Sequence, residues 1–133
     1  MSQTYFMIKP EAVRAGHFPE ILRWVMQNRF VVERLEMRTM DPETARRFYA
    51  EHAGKGFFAS LVGYITSGPV VAVQLAGEQA VTRLRQLVGA TDPAAALPGT
   101  VRYVYGTSLQ ENAVHASDSE GAAARELALI FGS

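Results

Sequence analysis

One apolar run constrains the fold of this chain more than any other feature. Residues 70–76 read VVAVQLA, so an extended strand there would be apolar on both of its faces. A strand of that kind belongs inside a sheet, since strands with one solvated face alternate apolar and polar residues. A second apolar run, residues 5–8, ends at Lys9 and Pro10, where proline cannot donate to a strand ladder. The sequence therefore predicts a sheet with two buried strands.

Helix and strand patterns alternate along the rest of the chain. Apolar residues at helical spacing predict helices over 18–29, 41–52, 57–65, 77–88 and 119–131, and extended patterns predict further strands over 31–38 and 101–105. Residues 91–100 show neither period and predict a long loop with a helical turn over 94–96. Two β-α-β halves with an insertion predict an α+β fold of the ferredoxin-like kind. Such a fold has a four-stranded antiparallel sheet with helices packed around it, and we expect them on one face.

Length and charge limit the class of protein. The 133 residues suit one domain, residues 1–133, and the formal net charge of zero argues against a general binder of nucleic acids or membrane surfaces. The absence of cysteine excludes disulfides and thiolate metal sites. No basic and apolar leader opens the chain, and no apolar run approaches the about 18 residues of a membrane span. We expect a cytoplasmic protein.

The octet Asn112-Ala113-Val114-His115-Ala116-Ser117-Asp118-Ser119 surrounds an imidazole with an amide, two hydroxyls and a carboxylate. Histidine titrates near neutral pH, and its neutral form is a nucleophile. This polar company indicates that His115 is held for chemistry.

Further polar residues lie on segments predicted to be buried or looped: Lys9, Tyr49, Arg85, Thr91, Arg102 and Asn112. Each alone has a structural explanation, such as a strand-end charge, a core tyrosine, a solvated arginine or a turn residue. Together they suit phosphate binding and phosphoryl transfer, where catalysis is mostly positioning and charge stabilisation. The chain has no P-loop, and we expect His17 and His52 at the surface, so a metal held by the protein is not predicted.

With these residues in view, the chain resembles the nucleoside diphosphate kinases. The octet is similar to the family's signature around its phosphorylated histidine. Further similar segments are Ile8-Lys9-Pro10-Glu11-Ala12-Val13, Tyr49 with residues 57–61, residues 67–72, residues 89–93, residues 97–100 and Arg102. They occur in family order from Thr4 to Phe131, nearly the whole chain.

The resemblance implies a ping-pong reaction in which a nucleoside triphosphate, typically ATP, phosphorylates His115 and a diphosphate takes the group back. Mg²⁺ would arrive on the nucleotide phosphates. The implied nucleotide contacts are Phe57 and Leu109 for the base, Lys9 and Asn112 for the sugar and phosphate end, and Arg85, Thr91 and Arg102 for the phosphates. The implied catalytic residues are His115, Tyr49 near the transferring group, Lys9, and Glu126 with Ser117 orienting the imidazole. The resemblance also implies a homo-oligomer built from dimers, a tetramer or hexamer, with residues 31–38 as the pairing edge.

The chain departs from the family pattern at a few positions. Ala116 stands where the family usually has glycine, which costs roughly 1 kcal/mol if that backbone needs a positive φ. Glu11 replaces the commoner aspartate, and Tyr103-Val104-Tyr105 follows Arg102. These departures leave open a nucleotide-binding scaffold that has lost transfer, and the architecture alone leaves open a nucleic-acid binder on the sheet face. The zero net charge argues against the second.

Overall fold

The computed structural model describes residues 1–132, with one four-stranded sheet and helices on both of its faces. The strands are β1 (Ser2–Ile8), β2 (Val31–Arg38), β3 (Val70–Gly77) and β4 (Val114–Ala116). The α-helices are α1 (Pro10–Arg14), α2 (Phe18–Gln27), α3 (Pro42–Phe48), α4 (Phe58–Ile65), α5 (Ala80–Val88), α6 (Val101–Tyr105) and α7 (Glu120–Phe131). Two short 3₁₀ turns cover Ala50–His52 and Pro93–Ala95. The predicted domain, residues 1–133, extends one residue beyond the described part.

The sheet has the strand order β2-β3-β1-β4, and every neighbouring pair is antiparallel. This is the order of a ferredoxin-like sheet, and the predicted fold class is confirmed. The two apolar runs of the sequence, β1 and β3, are the central strands, as predicted for strands apolar on both sides.

The expectation of helices on one face is wrong. Alternate residues of β1 and β3 point to opposite faces, and each face has its own core. The first core cluster joins Phe6, Ile8, Val71, Val73 and Leu75 to α1, α2 and α5. The second core cluster joins Tyr5, Met7, Val70 and Ala72 to α3, α4 and α7.

The fourth strand is not where the sequence placed it. Residues 101–105 form α6, because the Thr100 hydroxyl caps the helix by accepting from the Tyr103 N–H, and this cap outweighs the β-propensity of the segment. The fourth strand is instead β4, inside the octet, pairing His115 with Met7 of β1. A three-residue strand is too short to show a period of two.

Other boundaries moved less. The predicted helix 41–52 ends at Phe48, and a 3₁₀ turn follows it. The predicted helix 77–88 begins at Ala80, since Gly77 is still part of β3 and pairs with Ser2 of β1. The predicted loop 91–100 is present and contains one 3₁₀ turn. Within residues 1–132, no helix is both long and apolar enough to cross a membrane.

Candidate active site

A cavity of about 210 Å³ opens between the end of β1, β4, α7 and the loops around α4 and α6. Most of the predicted site residues meet there: Lys9, Tyr49, Arg85, Thr91, Arg102, Leu109, Asn112, His115 and Glu126 all line it. Seven further lining residues were not predicted for the site: Phe48, Glu51, His52, Leu61, Gln110, Ala116 and Asp118. His52 carried a sequence signal, because it follows Tyr49 by three residues on a helical turn and so faces the same side.

His115 is oriented from behind by a carboxylate. Its Nε2 lies 2.9 Å from Oε1 of Glu126, and the Ser117 hydroxyl donates to that same oxygen at 2.7 Å. Since the carboxylate accepts, Nε2 carries the proton and Nδ1 keeps its lone pair. The Phe48 ring packs against the imidazole in a T-shaped arrangement, and the two ring centroids are 4.9 Å apart. The ring is thus fixed in one tautomer and one orientation.

The position of Glu126 follows from how α7 begins. The Ser119 side chain accepts from the Ala122 N–H and starts the helix directly after β4. Two turns later Glu126 falls on the buried stripe with Ala123, Leu127 and Ile130. Burial alone raises the pKa of Glu126, but the hydrogen bonds from His115 and the Ser117 hydroxyl, with the nearby charge of Arg125, reverse this and leave the pKa below its usual value. The carboxyl is therefore ionised at neutral pH.

Ala116 does not need to be glycine. Among the described non-glycine residues, positive φ occurs only at Arg29, Gln79 and Ala113. Ala116 is ordinary strand backbone paired with Phe6, and its methyl group is buried in the first core cluster. The cost expected from this departure is absent.

Two buried cations face the cavity. Lys9 donates to Oδ1 of Asn112 at 2.8 Å, and Nδ2 of Asn112 donates to the Thr91 carbonyl at 2.9 Å. Burial and the charge of Arg102 lower the pKa of Lys9 to about 8. Arg102 donates to the carbonyls of Gly89 and Val114, and burial together with Arg85 lowers its pKa to about 10. Both side chains are charged at neutral pH.

Two donors at the cavity are buried without a partner in the described part of the chain, the Tyr49 hydroxyl and Nε of Arg102. Burial raises the pKa of Tyr49, so the phenol keeps its proton. Buried donors normally have acceptors, and these two have none among the described residues.

A third cation, Arg85, is already partnered. Its Nη1 lies 2.7 Å from the Asp118 carboxylate and donates to the Ala116 carbonyl at 3.2 Å. A broader depression of about 750 Å³ lies beyond this pair, between α5 and the 89–100 loop. The imidazole lines the smaller cavity and not that depression, so the smaller cavity is the candidate active site.

The two residues expected to hold a base are at the mouth. Phe57 is 50% exposed and Leu109 is 63% exposed, so both side chains are accessible to a planar ligand. Phe57 does not line the cavity itself but packs against His52, with ring centroids 5.3 Å apart.

Within residues 1–132, no group of three or more histidines or acids is placed to hold a metal ion. The carboxylates that line the cavity include Glu126, bound to His115, and Asp118, bound to Arg85. A divalent ion that enters with a nucleotide would therefore take most of its ligands from phosphates and water.

An imidazole with one free nitrogen, beside three cations and unpartnered donors, is the combination expected of a phosphotransferase with a histidine nucleophile. Known proteins agree with this class. The family model described as nucleoside diphosphate kinase matches residues 2–133. The chain therefore belongs to the nucleoside diphosphate kinase family, and the resemblance seen in the sequence is confirmed.

Its relatives match over nearly their full length. The nucleoside diphosphate kinase of Deinococcus radiodurans is 48% identical over 132 residues, covering 99% of this chain and 96% of that protein. That of Sulfolobus acidocaldarius is 46% identical over 131 residues, covering 98% and 90%.

Solved structures agree in fold. The Aquifex aeolicus nucleoside diphosphate kinase superposes with a TM-score of 0.95 at 39% identity, covering 98% of this chain and 94% of that one. A halophilic nucleoside diphosphate kinase from Halobacterium salinarum, in complex with CDP, gives 0.96 at 41%, covering 99% and 88%. The hypothesis of a scaffold without transfer has no support.

Proposed function

We propose that this protein moves the γ-phosphoryl group of a nucleoside triphosphate, typically ATP, to a nucleoside diphosphate through a phosphohistidine on His115. The observation that carries the proposal is the contact between Nε2 of His115 and Glu126, which leaves Nδ1 as the free nucleophile. The family to which the chain belongs supports the same reaction.

In the first half-reaction the Nδ1 lone pair forms a bond to the γ-phosphorus. The bond from that phosphorus to the bridging oxygen breaks, and the diphosphate leaves with the electron pair. The proton on Nε2 stays in its hydrogen bond, and the ionised Glu126 offsets the positive charge that develops on the ring. A second diphosphate then attacks the phosphohistidine, and the steps run in reverse.

The remaining site residues would bind and stabilise the phosphates. Lys9 and Arg102 supply buried positive charge, and the Tyr49 hydroxyl and Arg102 Nε supply donors that the protein leaves unpaired. Charge held in place before the reaction is usually the largest contribution to catalysis of this kind. Mg²⁺ bound to the nucleotide phosphates would neutralise part of their charge. Phe57 and Leu109 would hold the base by its faces, which all bases share.

We also propose a homo-oligomer built from dimers, a tetramer or hexamer, that acts in the cytoplasm. The support for a dimer is β2, an edge strand with Val31, Leu35 and Met37 each about half exposed. An uncovered apolar edge strand is a pairing surface. We expect Leu35→Lys to lower the molar mass seen by light scattering, and an unchanged mass would show that the subunits pair elsewhere.

The transfer reaction is tested with labelled triphosphate and Mg²⁺. We expect an acid-labile, base-stable label on His115, which passes to any added diphosphate, and no label on His115→Gln. His17→Gln is the matched control, because this histidine lies outside the cavity against Tyr105, and it should label normally. Label on serine, or label that persists in His115→Gln, would contradict the proposal.

A further inference from the structure

The backbone just before the nucleophile has an unusual shape. Ala113 has φ of +76°, a region that residues with a side chain rarely adopt. The Val114 N–H donates to the Asn112 carbonyl at 3.0 Å, two residues back. Residues 112–114 therefore form a γ-turn of the strained, positive-φ kind, here called the 112–114 turn. Strain of this sort persists only where its surroundings hold it.

This turn decides which side chains face the cavity. In a regular strand, Asn112 and His115 would point to opposite faces, because they are an odd number of residues apart. Here both line the cavity, whereas the two residues between them, Ala113 and Val114, are both buried in the first core cluster. The 112–114 turn thus brings the nucleophile and the amide that holds Lys9 to the same face.

One side chain holds the turn from outside. Oε2 of Glu11 accepts from the Ala113 N–H at 2.9 Å, across 102 residues of sequence. The Ala113 carbonyl accepts from the Lys9 N–H at 2.8 Å, so the strained residue is held at both ends. Without Glu11, a fully buried N–H would have no acceptor in this arrangement.

Glu11 is held in turn by Tyr64. The Tyr64 hydroxyl donates to Oε1 of Glu11, and the Lys9 ammonium lies 5.8 Å from the centre of the Tyr64 ring. Tyr64 is on α4, the helix that begins directly after Phe57. The carboxylate therefore joins the helix next to the base-holding phenylalanine to the backbone next to the nucleophile.

We propose that Glu11, clamped by Tyr64, is a positioning residue that holds the 112–114 turn in its strained form, so that His115 and Asn112 act on the same substrate. The inference rests on the proposed function. Glu11 touches no reacting atom and acts through the backbone of Ala113.

The first test replaces the carboxylate. Glu11→Leu removes both oxygens at similar size, and we expect kcat to fall roughly tenfold or more with a rise in KM, since Asn112 moves with the turn. A simple loss of folded protein would lower the apparent kcat and leave KM alone, and that result would overturn the proposal. Glu11→Gln should stay within about threefold of the wild type, because its amide can accept from Ala113 and donate to Tyr64.

The second test relieves the strain. Glycine adopts positive φ without steric cost, so Ala113→Gly in the Glu11→Leu background should recover at least about threefold in kcat. A stabilised double variant without this recovery would overturn the proposal. If Glu11→Leu does not fold, Tyr64→Phe replaces it. That variant keeps the ring beside Lys9, removes only the clamping hydroxyl, and should lower kcat about threefold; an unchanged kcat would show that the clamp is not needed.

The control is another carboxylate that accepts a backbone N–H. Asp41 accepts from the Thr44 N–H at 2.8 Å at the exposed start of α3. Asp41→Leu should lower the melting temperature and leave kcat and KM unchanged. If it reproduces the kinetic losses of Glu11→Leu, the effect of Glu11 is merely structural.

A readout that needs no activity separates this proposal from the proposed function. We expect the Ala113 amide to exchange its hydrogen slowly in the wild type and at least roughly tenfold faster in Glu11→Leu. If the Ala113 amide is protected from exchange but the wild-type protein takes no label from the triphosphate, the description of the turn stands and the transfer reaction is refuted. Equal exchange in both proteins would overturn the role of Glu11, even if transfer proceeds.

Discussion

The two walls of the cavity differ in how complete their hydrogen bonding is without a ligand. On the nucleophile wall, His115 is bound to Glu126 and Glu126 to Ser117. On the nucleotide wall, the Tyr49 hydroxyl and Nε of Arg102 have no acceptor in the described chain. Phe57, outside the cavity and packed against His52, is half exposed. The comparison suggests that folding alone sets the geometry of the nucleophile, whereas a bound nucleotide completes the hydrogen bonding of the opposite wall.

The largest expected effect comes from a substitution in the nucleophile wall, whose hydrogen bonding is complete without a ligand. Glu126→Ala removes the acceptor for Nε2 of His115, so the imidazole is free to rotate and to change tautomer. We expect kcat to fall on the order of 100-fold, with KM changed much less. Rapid-quench measurement of His115 phosphorylation gives this rate directly. Glu120→Ala, a change at an exposed position of the same helix, is the control, and a comparable loss there would show that α7 has simply moved.

A change of pH affects the nucleotide wall through the protonation of Lys9. Its pKa of about 8 means that the ammonium loses its proton as the pH rises through that value. If only the protonated form binds phosphates, the binding-competent fraction falls about tenfold between pH 7 and pH 9, and KM rises by the same factor. A bound phosphate raises the pKa of Lys9, so the effect is expected in KM more than in kcat.

The matched variant for this profile is Lys9→Arg, whose charge does not titrate in this range. Its KM should be nearly flat from pH 7 to pH 9, whatever its absolute value. If the profile of the variant is as steep as that of the wild type, another group causes the change.

The smallest of these effects is expected at the mouth. Phe57→Ala removes one face of the proposed base slot, and we expect KM to rise about fivefold, at the low end for a stacked base because Phe57 is half exposed. The factor should be similar for purine and pyrimidine nucleotides. Phe58→Ala lies next to it but is partly buried against the second core cluster, so it should lower stability more than it changes KM. A loss confined to one base would mean that Phe57 reads base identity.

The sheet was predictable because its central strands are apolar on both faces, and a surface position would leave that pattern unexplained. The fourth strand was not predictable, since the Val-Arg-Tyr-Val-Tyr segment has good strand propensity and the Thr100 cap decides for a helix. His115 stood out by its polar neighbours. Glu126 has the spacing of a core residue on α7, and only the resemblance indicated its role.

Some features of the site could not be predicted from a single sequence. Ala113 has a positive φ and donates its N–H to Glu11, 102 residues away, so no local pattern reveals the turn. The use of Asp118 is similar: the sequence places it beside His115, but only the fold shows that it pairs with Arg85. Tertiary hydrogen bonds decide both.

The unpaired donors of Tyr49 and Arg102 have a consequence for the life of the protein in a cell. Each buried donor without an acceptor destabilises the folded state by about 1–3 kcal/mol, and a phosphate oxygen that bound there would remove that cost. Ligands that bind only the folded form reduce the unfolded fraction that proteases degrade. We therefore expect the protein to have a longer lifetime, and a higher abundance, when nucleotides are plentiful than when they are scarce.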